Sequence, residues 1–328
     1  MTRICLALAV VVAAIAQPAG AQSSAPGDWP NRPVTFIVSQ AAGSSPDVMA
    51  RLLASKIEPV IGQPIVIENK PGGGNVIGAM AAVTAAPDGY TFFFGTSAAL
   101  TYNQFLVKKL PYDAARDFAP VALVTKSYQL LVVNKDVPAT NLAEFIALDR
   151  KNPGKYSIAD DGPRNLTGVT AAALNDMAGS KFLLVPYPNI NNGVQDVVAG
   201  RVEGGVFSIS VITPHIQSGA VRALATTSSK RMDGAPDTPA AAETVPGFDF
   251  SGWFMLVAPK ATPPDIVAKM NAAVDKAEHD PQMRARVPGL GFEIDPKGVG
   301  SPADAAAFLR DQLAFWDKIT KRLGIEPQ

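Results

Sequence analysis

Cysteine and histidine, the residue types behind much metal binding and nucleophilic catalysis, are nearly absent from this sequence. Its 328 residues include one cysteine, Cys5, and two histidines, His215 and His279. No G-x-S-x-G, H-E-x-x-H or P-loop motif accompanies them. We interpret both histidines as structural or solvated, and we predict a protein without catalytic residues, metal or cofactor.

Long apolar runs are lacking except at the start of the chain. Arg3 precedes the segment ICLALAVVVAAIA, and Ala19-Gly20-Ala21 is a small-residue cleavage site. This pattern predicts a secretory signal peptide over residues 1–21, and the apolar segment is too short to favour a membrane span. Cleavage would remove Cys5, so the exported chain would have no disulfide, which suits the bacterial periplasm.

An excess of charge of either sign is also lacking. The whole sequence has 29 basic and 29 acidic residues, and loss of Arg3 with the signal peptide leaves 28 basic residues and a net charge of −1. No basic cluster stands out along the chain. The sequence therefore argues against a nucleic-acid partner.

The most informative stretch reads VTFIVSQAAGSSPDVMARLLASKI and begins at Val34. Its first five residues predict a buried strand. After a small polar loop, Ser45 is predicted to cap a helix that has Pro46 at its first position, and Pro59 is predicted to end it. The amides at such a helix start attract anions, carboxylates included, although the charge of Asp47 competes for them. This segment alone favours the alternative, an ordinary strand-to-helix turn with nothing bound.

Strand and helix signals alternate along the rest of the chain, which predicts an α/β fold with parallel sheets. A second small polar loop, residues 96–101, follows the strand Tyr90–Gly95, and we expect it to lie beside the first loop. The apolar runs within residues 121–134 are split by Thr125-Lys126-Ser127, as in a strand that leaves one domain and enters another. A mature chain of about 300 residues also suggests two domains.

Several motifs follow one another in an order that is typical of one receptor family. They are WPNRPVTFIV, GQPIVIENKPGGGNVIGA, AAPDGYTFFFGTSAA, KKLPYDAARDFAPVALV, VPYPN, VVAGRVEGG, PHIQSGAVRALATTSSKR and WFMLVAPKATPP. These motifs lie between Trp29 and Pro264, and the similarity as a whole extends to about Leu323. On these motifs the sequence resembles the Bug receptors, the TctC-type substrate-binding proteins of tripartite tricarboxylate transporters.

The resemblance implies a type II periplasmic-binding-protein fold, in which two α/β domains are joined by crossing hinge strands. We expect domain 1 to comprise residues 29–124 and 252–328, and domain 2 to comprise residues 125–251. The implied function is a periplasmic receptor, monomeric and not an enzyme, that delivers a small organic carboxylate to membrane transporter subunits. The alternative is a ligand sensor of the same fold that signals to a membrane kinase. A hydrolase is disfavoured because no nucleophile–base pair is evident.

The resemblance also implies a ligand site built from small polar loops of both domains. The expected ligand-binding residues are Gln40, Ala42, Gly43, Ser44, Ser45, Asp47, Thr96, Ser97, Ala98, Arg164, Asn165, Thr167 and Ser208. Family members usually carry small hydroxyl residues around position 164 and an Asp at position 208, where this sequence has Arg164 and Ser208. Because the sequence differs from the family at these positions, the ligand cannot be inferred from the family. Arg164 either anchors the second carboxylate of a dicarboxylate or pairs with Asp160 or Asp161 at the surface.

Overall fold

The computed structural model describes residues 29–163, 165–187, 189–232 and 235–327. The predicted signal peptide and Arg164 lie outside the described residues. The strands are β1 (Val34–Val38), β2 (Ile65–Asn69), β3 (Thr91–Thr96), β4 (Phe118–Asn134), β5 (Ser157–Asp160), β6 (Leu183–Pro186), β7 (Gly204–Ser208), β8 (Val221–Thr226), β9 (Ser251–Pro259) and β10 (Phe292–Glu293).

The α-helices alternate with these strands in the first two thirds of the chain and follow one another near its end. They are α1 (Ser45–Ile61), α2 (Val76–Val83), α3 (Asn103–Leu106), α4 (Ala114–Asp117), α5 (Leu142–Lys151), α6 (Leu166–Ala178), α7 (Ile190–Val198), α8 (Ile209–Gln217), α9 (Pro264–Glu278), α10 (Pro281–Arg286) and α11 (Pro302–Arg322). A π-helical turn, Ala98–Tyr102, leads directly into α3. Short 3-10 turns lie at Gly73–Asn75, Ala241–Glu243 and Pro288–Leu290.

The strands form one continuous mixed sheet in the order β2-β1-β3-β9-β4-β7-β5-β6, and β8 and β10 also pair with β4. The outer strands are parallel as predicted, since β1 pairs in parallel with β2 and β3, and β5 with β6 and β7. The prediction of parallel sheets is wrong for β4 and β9. Strands β4 and β9 run antiparallel to each other, because they carry the chain in opposite directions between the two halves of the molecule. Strand β4 is also antiparallel to β7, and β9 is antiparallel to β3.

Strand β4 crosses from one half of the sheet to the other. Its residues from Phe118 to Tyr128 pair with β9, and its residues from Gln129 onwards pair with β7 and β8. The predicted crossing strand is confirmed, and its two apolar runs belong to one strand of 17 residues. The polar interruption Thr125-Lys126-Ser127 lies where β4 approaches the end of its pairing with β9.

Separate hydrophobic cores lie on either side of this crossing. On the side of β1 and β3, Phe36 and Leu53 belong to one buried cluster, while Phe93 and Leu309 belong to a second cluster on the opposite face of the sheet. On the side of β5 and β7, further clusters cover both faces. Helix α11 contributes to both sides, because Leu309 packs on the side of β1 and β3 and Trp316 packs on the side of β5 and β7.

Two predictions about α1 are wrong. The N-cap is Ser44, so the helix begins at Ser45 rather than after it, and the Ser44 side chain makes no capping hydrogen bond. Pro59 does not end the helix, which continues to Ile61. The end is set by Gly62, whose φ of 71° is left-handed, and its amide donates to the carbonyl of Glu58 at 2.9 Å. A left-handed glycine stops a helix more reliably than a proline that removes one hydrogen bond from its last turn.

Candidate functional site

The first loop leaves two backbone amides open at the start of α1. The first helical hydrogen bond runs from the amide of Val48 to the carbonyl of Ser44 at 2.9 Å. The amides of Ser45 and Asp47 therefore precede the hydrogen-bonded helix, at the positive end of its dipole. Residues 41–43 beside them are exposed small residues. The start of α1 is thus accessible to a small anionic group.

The carboxylate of Asp47 is bonded to other donors of the chain. It accepts hydrogen bonds from the Gly43 amide at 2.8 Å and from Asn69 Nδ2 at 2.9 Å, and it pairs with Arg51 at 2.9 Å. Burial by itself would raise the pKa of Asp47, but the bonds from Arg51, Gly43 and Asn69 outweigh it and the pKa is lowered. Asp47 is therefore an ionised residue that fixes the loop, and its charge is partly balanced by Arg51.

The hydroxyl of Ser44 has no partner in the part of the chain that the structure describes. Its Oγ atom is buried and makes no hydrogen bond with any described residue. Buried hydroxyls are usually hydrogen-bonded to protein or water, so this atom has capacity for another partner. It lies at the helix start, next in sequence to the open amide of Ser45.

The second loop follows β3 at the same edge of the sheet, because Val38 of β1 pairs with Phe94 of β3. Thr96 and Ser97 are buried, and Ala98 is half-buried at the beginning of the π-helical turn. The Thr96 hydroxyl accepts a hydrogen bond from the Ala99 amide at 3.2 Å. Single π-helical turns are often found at functional sites, since they displace backbone groups from the regular helical ladder.

The third loop, between β5 and α6, presents acidic side chains. The Asp161 carboxylate accepts hydrogen bonds from the Thr167 hydroxyl at 2.6 Å and the Gly168 amide at 3.1 Å. Asn165 donates from Nδ2 to the Asp161 carbonyl at 2.7 Å. Burial raises the pKa of Asp161 and of its neighbour Asp160. The start of α6 is therefore capped by the chain's own carboxylate, unlike the start of α1.

Tyr102 connects the second and third loops. Its hydroxyl donates to the Ser251 carbonyl at 3.3 Å, and its side chain interacts with Ser97 of one loop and Asp161 of the other. Burial, with a smaller effect from Asp161, raises the pKa of this phenol. Its ring lies 4.0 Å from that of Trp316, measured between centroids. Tyr102 was not predicted from the sequence, because a tyrosine between Thr101 and Asn103 carries no motif that marks it as a site residue.

A glycine-rich turn, residues 72–75, is hydrogen-bonded to the first loop and to α3, the helix that follows the second loop. The Ser39 hydroxyl donates to Asn75 Oδ1 at 2.9 Å, and Asn103 Nδ2 donates to the Gly74 carbonyl at 2.7 Å. Asn75 has a φ of 78°, the one non-glycine residue with positive φ among those described. This turn was not predicted to lie beside the first loop. The three glycines before Asn75 could have predicted a tight turn with positive φ at this point, because glycine adopts positive φ readily.

Ser208 lies at the carboxyl end of β7, which pairs in parallel with β5, so it belongs to the same edge of the sheet as the third loop. It ends β7 opposite Gln129 of β4 and is the N-cap of α8, without a capping hydrogen bond from its side chain. In the described ranges, no group of three or more His, Cys, Asp or Glu residues is placed to hold a metal ion. Nor does any helix there have both the length and the apolar character needed to cross a membrane.

Comparison with known proteins identifies the family. Residues 49–325 match TctC, the tripartite tricarboxylate transporter family receptor. This chain belongs to the TctC family. Its relatives include BugT of Bordetella pertussis, which is 31% identical over 332 residues, covering 99% of this chain and 98% of BugT. The predicted family is confirmed, and the protein is a periplasmic solute-binding receptor of the TctC family.

Solved structures of similar proteins confirm the two-domain fold of this TctC receptor. R. palustris Rpa4515 with adipate has a TM-score of 0.77 at 31% identity and covers 92% of this chain and 100% of its own. BugD has a TM-score of 0.74 at 30% identity, covering 92% and 100%. MatC from Rhodopseudomonas palustris with bound malate has a TM-score of 0.72 at 32% identity, covering 89% and 99%.

Proposed function

We propose that this receptor captures a small organic dicarboxylate between the loops of its two domains and delivers it to the membrane subunits of a tripartite tricarboxylate transporter. The observation that carries the proposal is the start of α1, where the amides of Ser45 and Asp47 precede the first helical hydrogen bond. The unpartnered hydroxyl of Ser44 lies beside them. Two amides and a hydroxyl, at the positive end of a helix of 17 residues, suit one carboxylate.

The acidic third loop favours an orientation of this ligand in which its first carboxylate lies at α1. Asp161 already occupies the start of α6, so a first carboxylate would be repelled there and attracted to α1. The similar proteins solved with adipate and with malate hold ligands with two carboxylates, which favours a dicarboxylate here as well. Arg164, selected from the sequence, is the proposed partner of the second carboxylate.

Closure would bring these groups around the ligand. We propose that domain 1 comprises residues 29–124 and 252–328, that domain 2 comprises residues 125–251, and that β4 and β9 are the hinge strands. Strand β4 pairs with strands of both halves, β9 begins beside the point where β4 passes between them, and α11 packs on both cores. Hinge closure around a ligand is a common motion of two-domain receptors. We propose that the receptor acts as a monomer.

A thermal-shift screen of carboxylates tests the proposal, because a ligand that binds only the folded state raises the melting midpoint. The probes are adipate, malate and the monocarboxylate hexanoate. We expect the dicarboxylates to raise the midpoint more than hexanoate. If no carboxylate raises it at millimolar concentration, the proposal is wrong. Uptake of the selected carboxylate by cells with and without the receptor gene then tests delivery.

A pair of glycine variants locates the bound carboxylate. Gly43 in the first loop and Gly62 at the end of α1 have φ of 80° and 71°, and an added Cβ would meet nothing within 4 Å at either position. Valine should therefore strain both sites by ~1–2 kcal/mol. We expect Gly43→Val to weaken dicarboxylate binding by at least about tenfold, because the new side chain obstructs the α1 amides. Gly62→Val should leave affinity unchanged, and equal affinities in the two variants would remove the first loop from the site.

A further inference from the structure

Asp47 places a negative charge at the helix start that the proposed carboxylate would occupy. Its side chain is buried, since the residue is 2% exposed, and it belongs to the first turn of α1. Two like charges at one helix start repel each other, and burial makes this repulsion stronger than it is in bulk water. The amides of Ser45 and Asp47 can therefore bind an anion well only if the charge of Asp47 is compensated.

Arg51 supplies this compensation from the next turn of α1. Residues four positions apart lie on one face of a helix, which brings the guanidinium group of Arg51 to the Asp47 carboxylate. Arg51 Nε donates to Asp47 Oδ2 at 3.0 Å, and Arg51 Nη2 lies 2.9 Å from Asp47 Oδ1, so both carboxylate oxygens are bound. A forked pair of this kind is stronger and more closely oriented than a single contact.

Asn69, at the end of β2, holds this ion pair in place. Its Nδ2 atom donates to Asp47 Oδ1 at 2.9 Å and to the carbonyl of Gln40 at 3.0 Å. Its Oδ1 atom accepts a hydrogen bond from Arg51 Nη2 at 3.2 Å. Asn69 therefore bonds to both members of the ion pair and to the backbone of the first loop. These bonds fix the pair relative to the loop whose amides would bind the ligand.

The charged residues on either side of Asn69 pair with each other. The ammonium group of Lys70 lies 2.7 Å from the carboxylate of Glu68. A further donor to Asp47 is the Gly43 amide at 2.8 Å, which carries no charge. Among the described residues that bond to the Asp47 carboxylate, Arg51 is thus the one that carries a positive charge.

We propose that Arg51 determines the charge that the first loop accepts, and that it acts through Asp47 without touching the ligand. While Asp47 is paired with Arg51, a carboxylate can bind the amides at the start of α1. Without Arg51, the Asp47 carboxylate would repel an anion from the same amides. Arg51 is therefore a positioning residue, and the inference rests on the proposed function because it concerns the same bound carboxylate.

Calorimetric titration of charge variants with adipate tests the proposal. Arg51→Gln leaves the charge of Asp47 uncompensated and should weaken adipate binding by about tenfold or more. Adding Asp47→Asn to Arg51→Gln removes both charges and keeps an acceptor oxygen for the Gly43 amide. This double variant should bind adipate within about threefold of the wild-type affinity. Asp47→Asn alone leaves the Arg51 charge unbalanced and should bind adipate more tightly than the wild type.

Two further variants separate charge from other effects. Arg51→Lys keeps the charge and should bind adipate much more tightly than Arg51→Gln. The control is Arg201→Gln, which removes the charge of an arginine paired with Asp196 on the surface, and it should leave the affinity for adipate unchanged. The ligand-free melting midpoint shows whether each variant is folded. If Arg51→Gln does not fold because its buried carboxylate is unpaired, Asp47→Asn and the double variant still decide the question.

Recovery of adipate binding in the double variant is the decisive result. If Arg51 touches the ligand, the double variant stays at least about tenfold weaker than the wild type, and the proposal is overturned. Wild-type affinity in a folded Arg51→Gln protein, or weaker binding in Asp47→Asn, would overturn it as well. These results concern Arg51 alone, because they require a wild-type receptor that binds adipate. A wild-type receptor that binds no carboxylate would contradict both this inference and the proposed function.

Discussion

Single side chains decide which helix start in the candidate site can accept an anion. At α1, Asp47 is held by Gly43, Asn69 and Arg51, and the amides of Ser45 and Asp47 stay open. At α6, the Asp161 carboxylate bonds directly to the Gly168 amide. An acidic residue thus lies close to each helix start, but only Asp161 bonds to the amides of the helix that it precedes.

Arg164 carries the prediction that the ligand is a dicarboxylate. If Arg164 binds the second carboxylate, Arg164→Ala should cost about 2 kcal/mol in adipate binding, or about thirtyfold in Kd. Hexanoate, which has the same chain length and one carboxylate, should lose much less. Titration calorimetry of both ligands measures the difference, and Arg201→Ala is the control, since Arg201 pairs with Asp196 on the surface. Equal small losses for both ligands would make Arg164 a surface residue.

The sequence predicts much of the first loop but not its last detail. The run VTFIV and the helical spacing after it locate β1 and α1 correctly, because both signals are local. The choice of Ser45 over Ser44 as N-cap was wrong, since adjacent serines are chemically equivalent and the fold decides between them. Tyr102 could not be assigned at all, because its role depends on its hydrogen bond to Ser251 and on the charge of Asp161, both of which are distant in sequence.

At the scale of elements, strand pairing that depends on long-range contacts was also beyond prediction. Strand β10 consists of Phe292 and Glu293, which is too short to show any hydrophobic alternation, yet it pairs with β4. By contrast, β4 was predictable as a crossing strand because a polar interruption between two apolar runs is visible in the sequence. The structure then shows that its neighbours are antiparallel.

Helix α9 contains a buried carboxyl group that should make stability depend on pH. Glu278 is 1% exposed, and its burial raises the pKa of its carboxyl group from 4.5 to about 9. Repulsion from Asp275 and Asp295 adds to this increase, and attraction from Arg284 opposes it. The folded state therefore keeps a proton that the unfolded state releases above 4.5. This contribution to stability is fully present below pH 4.5 and is lost progressively as pH rises towards 9.

Denaturant unfolding at several pH values between 5 and 9 checks this prediction. We expect the free energy of unfolding to fall with rising pH in the wild-type protein, and we expect Glu278→Gln to reduce the slope and to be the more stable protein at pH 8. The control is Glu68→Gln, which changes an exposed glutamate and should keep the wild-type slope. A wild-type slope in Glu278→Gln would show that other groups cause the pH dependence.

At the scale of the whole molecule, the crossing strands and α11 link the two halves. Strand β4 pairs with both parts of the sheet, and α11 packs Leu309 into one core and Trp316 into another. Rotation about the crossing strands would change the distance between the loops after β1 and β5 while each core stays intact. This geometry is the physical basis for the proposed closure.

Small-angle X-ray scattering tests closure directly. We expect saturating adipate to lower the radius of gyration of the wild-type receptor, because the two domains approach each other. Gly43→Val measured at the same adipate concentration should keep the ligand-free value, and Gly62→Val should contract like the wild type. An unchanged radius of gyration in a receptor that calorimetry shows to be saturated would rule out hinge closure.

The central claim, that the open amides at the start of α1 bind a carboxylate, is tested most directly by nuclear magnetic resonance of ¹⁵N-labelled receptor. On titration with adipate, we predict that the amide protons of Ser45 and Asp47 shift downfield and saturate together, as new hydrogen bonds to a carboxylate form. The amide of Gly168, which already bonds to Asp161, should not show such a downfield shift. Saturable adipate binding that leaves the Ser45 and Asp47 amides unshifted would contradict the account.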